Sequence, residues 1–451
     1  MRPVGAHPEV VETPATVAQQ PAPAQTETSA TPRATAAYWT VFASHFILDL
    51  YPFFLFALAA SIQARLALPE GQIALVLAIN PVISGVSQPL FAWLGDKYNT
   101  RAFGPLGIVA ACLCLSMIGW AETLWQLIVL AVIGMAGVGV YHPISSAVAG
   151  RLGTEVMGKV KWARSGAGLG LSLFFTAGML GGFAGPLIAS RINAAYNAKW
   201  LAVMIVPGLV MALVMWVMVR KVSHRTASPA KRRRAEEAAA RAEAALHEMA
   251  SDASRWFAVG LLFVSNACRF TVNTSLYYLY KLWGQAGWPA QPDVASARAS
   301  DLIAATTLGM AATGLLFGSM TRAGREKWPI VLTGLVGVPV ILAMPGVGYE
   351  WMLALAFLSS LSHFAAIPSA IGAAQRLLPH ATGVVGAMLM GCGWVVSAGG
   401  LFLCKWLLDP EDGLGYGLEV GFWVVAGFSA LAGLSALPLS GRLLRESVRA
   451  R

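Results

Sequence analysis

Charged residues are scarce in this chain: they make up 12% of its 451 residues, whereas hydrophobic residues make up 57%. A water-soluble protein carries about a quarter charged residues. The shortage excludes an ordinary soluble fold and predicts that most of the surface faces lipid. The net charge of +10 would suit a nucleic-acid binder. The basic residues, however, lie in loops between apolar segments, so we expect no nucleic-acid partner.

Motifs for catalysis and metal binding are also missing. The five cysteines show neither a metal-binding spacing nor a disulfide framework. The chain has no Gly-rich phosphate loop, no His/Cys ligand set and no paired carboxylates. We therefore predict that it is not an enzyme and has no metal or other cofactor. A membrane sensor would need an appended soluble domain, and the segments at 1–36 and 220–255 are too short for one.

Long apolar runs fill the rest of the sequence. Runs of roughly twenty residues can cross a bilayer as helices, whereas a barrel would show short alternating segments. The sequence therefore predicts an all-α membrane protein with 12 transmembrane helices. The predicted spans are 37–61, 72–94, 103–121, 125–149, 165–189, 199–219, 256–280, 300–320, 328–346, 350–374, 381–406 and 419–441.

The basic residues predict the orientation of the chain. Most of the 32 Lys and Arg residues fall in the tails and in the loops on the same side. The opposite loops hold Arg65, Arg191, Lys199, Lys281, Arg298 and Lys405. Because cytoplasmic loops are enriched in Lys and Arg, both termini are predicted to be cytoplasmic. The basic cluster at 231–234 then lies beside anionic lipid, an expected partner.

The second half of the chain repeats the first at a shift of 225 positions. The repeated pairs are Pro143 and Pro368, Arg151 and Arg376, Gly158 and Gly383, Gly166 and Gly391, and Gly168 and Gly393. Duplicated membrane halves are typical of transporters with a site between them. We predict two pseudo-symmetric six-helix bundles at 37–221 and 255–445, joined by a cytoplasmic loop at 222–254. The tails are 1–36, expected to be disordered, and 446–451.

The loop after the second span resembles the loop signature of the major facilitator superfamily. The residues that carry this resemblance are Ala92, Asp96, Lys97 and Arg101, with Arg322 and Arg325 in the repeat copy after the eighth span. The resemblance implies twelve helices in two bundles and a protein that usually works as a monomer. It also implies that Asp96 and the basic residues hold a cytoplasmic gate. The alternative is a basic loop that sets topology, with a helix cap.

Two further segments resemble the fosmidomycin-resistance branch of that superfamily. Span 1 contains His45 and Asp49, and span 4 ends in a Gly-rich segment with Tyr141-His142-Pro143. The branch often has an acidic residue after this proline, where the present chain has Ile144. Small residues around Gly185-Pro186 in span 5 also resemble the superfamily's antiporter signature, which favours export.

Ionisable residues inside the predicted spans are candidates for proton coupling. Each costs about 2.5–3.5 kcal/mol to place at the bilayer centre, so we expect them to face an internal cavity. His45 and Asp49 are four residues apart and share one helix face. We predict that Asp49 carries the proton and that His45 or His142 tunes it. The alternatives are a static ion pair for Asp49 and a bond to a backbone carbonyl for His142.

The second half differs at the matching positions. At a shift of 224, His45 aligns with Arg269 and Asp49 aligns with Asn273. A fixed cation and a neutral amide there predict a substrate- or charge-holding half. Arg269 either binds an anionic group of the substrate or neutralises Asp49. Further candidates for substrate binding are Asn80, Asn266 and His363.

The sequence therefore predicts a proton-coupled secondary transporter of small organic molecules, located in a bacterial inner membrane and acting by alternating access. Efflux in exchange for protons is the favoured direction, and proton-coupled uptake of a metabolite is the alternative. Substrate identity is left open, although Arg269 favours an anion.

Overall fold

The structure is a computed structural model that describes residues 32–98, 102–158, 166–219, 229–317 and 322–450. Every regular element in these ranges is helical. The predicted tail before residue 32, part of the central loop and Arg101 lie outside the described residues, as does the side chain of Asp96.

Eighteen α-helices make up the described fold. In chain order they are α1 Pro32–Leu50, α2 Pro52–Ala57, α3 Ala59–Leu66, α4 Glu70–Tyr98, α5 Phe103–Ser116, α6 Leu124–Met157, α7 Gly166–Ala195, α8 Ile205–Val219, α9 Pro229–Met249, α10 Asp252–Gly287, α11 Pro292–Phe317, α12 Lys327–Ala343, α13 Tyr349–Phe364, α14 Ile367–Leu377, α15 Thr382–Ala387, α16 Gly393–Leu408, α17 Leu418–Leu434 and α18 Gly441–Arg449. A π-helical turn, Met388–Cys392, joins α15 to α16.

Nine helical segments among the described residues are long and apolar enough to cross a membrane. They are Pro32–Ala57, Glu70–Gly95, Phe103–Trp120, Leu124–Met157, Leu169–Ala195, Ala198–Val219, Lys327–Gly346, Tyr349–Leu377 and Pro379–Leu408. The remaining three predicted spans fall on α10, α11 and α17. Helix α10 has 36 residues, but its polar side chains between Ser265 and Lys281 are buried in protein and lower its hydropathy. Helix α17 is apolar and has 17 residues.

Glycines on α7 bring it close to the first span. A Cβ atom on Gly181 would collide with the Phe46 carbonyl, and one on Gly185 would collide with the Leu50 carbonyl. A Cβ atom on Gly178 would lie 2.5 Å from the His45 ring. Small residues allow such close backbone approach between membrane helices. The glycines of α7 therefore fix α1 in the turn that carries the predicted proton-coupling residues.

Two helix pairs make the most extensive contacts between the predicted halves. Helix α7 packs against α11, and α4 packs against α16. Ser172 donates a hydrogen bond of 2.8 Å to the Gly314 carbonyl across the first pair. Gly85 of α4 meets Gly391 in the π-helical turn just before α16, and a Cβ atom on Gly85 would lie 2.6 Å from the Gly391 carbonyl.

A layer of polar contacts joins the predicted halves at the end of the bundle where α3 ends and α4 begins. We call it the polar layer. Its members are Ser61, Gln63, Glu70, Asn193, Tyr278, Lys281, Gln285, Asp293 and Ser296. A cavity of about 430 Å³ lies beside it, lined in part by Glu70, Tyr278 and Asp409. The predicted halves are therefore held together at this end.

Candidate functional site

Three ionisable side chains of the first and fourth spans meet inside the bundle. His45 and Asp49 lie on successive turns of α1, and His142 lies on α6 just before Pro143. The Nε2 atom of His45 is 3.2 Å from Asp49 Oδ2, and the Nε2 atom of His142 is 3.5 Å from Asp49 Oδ1. The two Nε2 atoms are 3.1 Å apart. We call these residues the histidine–aspartate cluster.

Backbone carbonyls fix both imidazole rings. His45 Nδ1 lies 2.6 Å from the Phe174 carbonyl on α7, and the His45 ring stacks on Phe174 with centroids 3.9 Å apart. His142 Nδ1 lies 2.8 Å from the Val138 carbonyl, one turn earlier on its own helix. Each ring therefore presents its Nε2 atom to Asp49.

The cluster is buried, but one member reaches open space. Side-chain exposure is 1% for His45, 7% for Asp49 and 20% for His142. His142 is therefore the most accessible member of the cluster. By spacing alone the three residues could also hold a metal ion, because their donor atoms lie within 4.8 Å of one another. The sequence motifs did not suggest such a set, since His142 is 97 residues from His45.

Arg269 is fully buried and lies apart from the cluster. Its Nη1 donates to the His363 carbonyl at 3.0 Å and its Nη2 donates to the Ile330 carbonyl at 2.5 Å. Within the described ranges Arg269 contacts no carboxylate, so it does not neutralise Asp49 in this conformation. Its Nε atom has no hydrogen-bond partner.

The other predicted substrate-binding residues have mixed environments. His363 is buried and bonds through Nε2 to Ser429 at 2.8 Å. Asn266 donates a hydrogen bond of 2.8 Å to the Leu389 carbonyl in the π-helical turn. Such a turn leaves backbone groups without their usual helical partners, so this amide stabilises the turn.

Asn273 lies near the interface between the predicted halves, whereas the contact of Asn80 lies within the first half. Asn273 is buried, and its Nδ2 has no partner. One turn further along α10, the Tyr277 ring contacts Phe53 with centroids 5.9 Å apart. Asn80 donates a hydrogen bond of 3.2 Å to the carbonyl of Pro52, the residue at which α2 begins just after Asp49.

The predicted gating residues that can be described lie at the opposite end from the polar layer. Lys97 Nζ lies 5.0 Å from the Trp93 ring centroid. Arg322 and Arg325 are exposed in the turn before α12. Gly324 between them has φ of +84°, a conformation that favours glycine.

Sequence reasoning missed several ion pairs, two of which lie at opposite ends of the bundle. Lys281 Nζ lies 2.7 and 2.6 Å from the two carboxylate oxygens of Glu70, which also accepts a 2.7 Å hydrogen bond from Tyr278. At the other end, Arg376 pairs with the buried Glu326. The sequence does show that these acidic and basic residues lie near the ends of predicted spans. It does not show which helix ends pack together, so the partners could not be predicted.

An all-helical fold with apolar spans and ionisable residues buried between packed helices is typical of a multi-pass membrane transporter. The family model of the Major Facilitator Superfamily matches residues 37–401. The chain therefore belongs to the Major Facilitator Superfamily. As a member it is a transporter of small-molecule substrates and not an enzyme.

Comparisons with individual proteins agree with this family. The Fosmidomycin resistance protein of Escherichia coli (strain K12) is 26% identical over 191 residues, which cover 41% of this chain and 44% of that protein. The chain thus matches less than half of that relative. A peptide transporter POT has a TM-score of 0.63 at 16% identity, covering 91% of this chain and 95% of that one. A POT family transporter in complex with a thioalcohol-conjugated peptide has a TM-score of 0.65 at 15% identity, covering 91% and 96%. At these identities the solved structures show the fold alone.

Proposed function

We propose that this protein is a proton-coupled secondary transporter that exports small organic molecules by alternating access. The observation that carries the proposal is the histidine–aspartate cluster, in which Asp49 and two imidazoles meet between α1, α6 and α7. Helix α7 is also the helix that packs against α11. A change of charge in the cluster therefore lies one helix away from the contact between the two halves.

The proposed topology has twelve spans with both termini in the cytoplasm of a bacterial inner membrane. Helices α10, α11 and α17 supply the three spans beyond the nine apolar segments. At 1.5 Å per residue α10 is about 54 Å long, well over the ~30 Å hydrocarbon core, and α17 is about 25 Å long, slightly less than that core. The boundaries of the bundles remain 37–221 and 255–445, and the monomer is the proposed working unit.

In this topology the polar layer faces outward, so the structure represents a conformation closed to the outside. The proposed cytoplasmic gate contains Asp96, Lys97, Arg101, Arg322 and Arg325. The Glu326–Arg376 ion pair supports the same end of the second bundle.

The proposed substrate is a small organic molecule, with an anion favoured and fosmidomycin as the first compound to test. The name of the curated relative and the resemblance of span 5 to an antiporter signature support export. Asn273 has an unpartnered amide nitrogen near the interface and is the proposed polar contact for substrate. Arg269 would bind an anionic group only if its bonds to backbone carbonyls were exchanged.

Transport by the purified protein in proteoliposomes tests the proposal. An imposed proton gradient should drive fosmidomycin movement, and Asp49→Asn should abolish it. Asp412→Asn is the matched control, because Asp412 has an exposed side chain and should keep wild-type transport. Full proton-driven transport by Asp49→Asn would exclude Asp49 from coupling.

The direction of transport needs a test in cells. A deletion strain should become more sensitive to the exported compound. If it instead fails to grow on a particular nutrient and gains no drug sensitivity, the alternative of proton-coupled uptake is correct.

A further inference from the structure

The hydrogen-bond partners of the two imidazoles in the cluster define where their protons sit. His45 Nδ1 faces the Phe174 carbonyl at 2.6 Å, and His142 Nδ1 faces the Val138 carbonyl at 2.8 Å. A carbonyl oxygen can only accept a hydrogen bond, so both Nδ1 atoms must carry hydrogen. In a neutral ring the Nε2 atom is then an acceptor.

Without a further proton, the centre of the cluster would contain acceptors only. The two Nε2 atoms are 3.1 Å apart, and Asp49 oxygens lie 3.2 and 3.5 Å from them. A proton on the carboxyl group could reach one imidazole but would leave the contact between the two nitrogens without hydrogen. A proton on one Nε2 supplies the missing N–H···N bond and places an imidazolium beside the carboxylate.

We propose that the coupling proton is shared between the Nε2 atoms of His45 and His142, while Asp49 stays ionised. This inference rests on the proposed proton coupling and moves the proton from the carboxyl group to the imidazoles. Asp49 then acts as the fixed counter-ion. One imidazolium and one carboxylate make the cluster neutral overall, which lowers the cost of burying it.

Few other titratable groups face the pair from the surrounding helices. On α6 the Tyr141 hydroxyl bonds to Ser44 at 2.7 Å, and its ring lies 5.9 Å from that of His45. On α7 the neighbours are Phe174, Phe175 and Gly178, none of them titratable. Within the described residues the only charged group that contacts the two imidazoles is therefore Asp49.

Loss of this proton has a mechanical consequence. Two unprotonated Nε2 atoms at 3.1 Å repel each other, so His142 should move away from His45 when the proton leaves. His142 is the most exposed member and precedes Pro143, which cannot donate a backbone hydrogen bond. Deprotonation would therefore loosen the contact between α1 and α6.

Infrared difference spectra of the full-length protein in nanodiscs, recorded between neutral and acidic pH, test the location of the proton without any substrate. We expect an imidazolium band that shifts on ¹⁵N-labelling of histidine and is lost in both His45→Gln and His142→Gln. The variant His247→Gln is the control for surface histidines, since its side chain is 70% exposed. It should retain this band.

Asp49→Asn gives a second, independent readout if a histidine variant fails to fold. If Asp49 stays ionised over this pH range, the wild-type spectrum contains no carboxylic-acid C=O band from Asp49. The Asp49→Asn spectrum should then lack no such band that the wild type shows. Appearance in the wild type of such a band that Asp49→Asn removes would overturn the proposal. A spectrum that changes on treatment with a metal chelator would also overturn it, because a metal ion would then occupy the gap.

Failure of this proposal and failure of the proposed function are distinguishable. Protein that shows the histidine bands but transports nothing along a proton gradient would contradict the function only. Protein that transports in a proton-dependent way but shows the carboxylic-acid band would contradict the shared proton only.

Discussion

The buried Glu70–Lys281 pair should control closure at the polar layer. Lys281 is 1% exposed and Glu70 is 19% exposed, and the amine contacts both carboxylate oxygens. Removing one partner of a buried pair costs about 3–5 kcal/mol. Because Glu70 keeps some contact with solvent, we expect about 2–3 kcal/mol for Lys281→Met. If the pair exists only in the closed conformation, the open-to-closed ratio rises roughly 30- to 160-fold.

Alkylation of an introduced cysteine measures this shift. The change Gln63→Cys, made in a background without the five native cysteines, places a thiol in the cavity beside the layer. A membrane-impermeant maleimide added outside the cells should label it faster in Lys281→Met. Lys405→Met is the matched control, because Lys405 pairs with Asp409 at 3.0 Å within the second half. Unchanged labelling in Lys281→Met, or an equal rise in Lys405→Met, would refute the role of the pair.

Three further predictions concern the cluster, the π-helical turn and the central loop. Gly178→Ala places a methyl group 2.5 Å from the His45 ring, so proton-driven transport should fall at least tenfold while expression is retained. Asn266→Leu leaves the Leu389 carbonyl of the turn without its donor, so thermal unfolding should show a loss of about 1–3 kcal/mol. Burial raises the pKa of Glu243, but hydrogen bonds from an arginine and a histidine lower it more, so the pKa lies below its ordinary value. Helix α9 should therefore stay docked at neutral pH and lose hydrogen-exchange protection, corrected for the intrinsic exchange rate at each pH, as the pH falls below ~4.3.

Each of these has a control within the chain. Gly150→Ala meets no atom within 4 Å and should transport normally. If Gly178→Ala does so too, the close approach to α1 is not required. An unchanged melting temperature for Asn266→Leu would mean that another group satisfies the turn. Glu243→Gln should release α9 already at neutral pH, whereas Glu237→Gln removes only the exposed pair with Arg233 and should not.

Several features of the fold follow directly from the sequence. Apolar runs predicted a helical membrane protein, and loop motifs such as the one around Lys97 predicted the superfamily that the family model confirms. Span 7 falls outside the apolar segments, because the polar side chains of α10 lower its hydropathy although they are buried in protein. Hydropathy does not record where a side chain points. The duplication and its boundaries stay a prediction.

Local spacing also predicted one contact within the histidine–aspartate cluster. His45 and Asp49 had to share a face because they are four residues apart in one helix, and the structure brings them to 3.2 Å. The position of His142 beside Asp49 depends on the rotation of α6 and on the glycines that let α7 approach α1. The hydrogen-bond partners of Arg269 could not be predicted either, because they are backbone carbonyls, which every residue carries.

The sequence by itself determined that this protein lies in a lipid bilayer and which side chains meet within one helix, because the length of an apolar run and the spacing of residues are local properties. What only the tertiary structure decided was which distant side chains meet: His142 with Asp49, Glu70 with Lys281, and Arg269 with main-chain oxygens. These contacts depend on how closely and at what rotation the helices pack, which is a property of all their surfaces together.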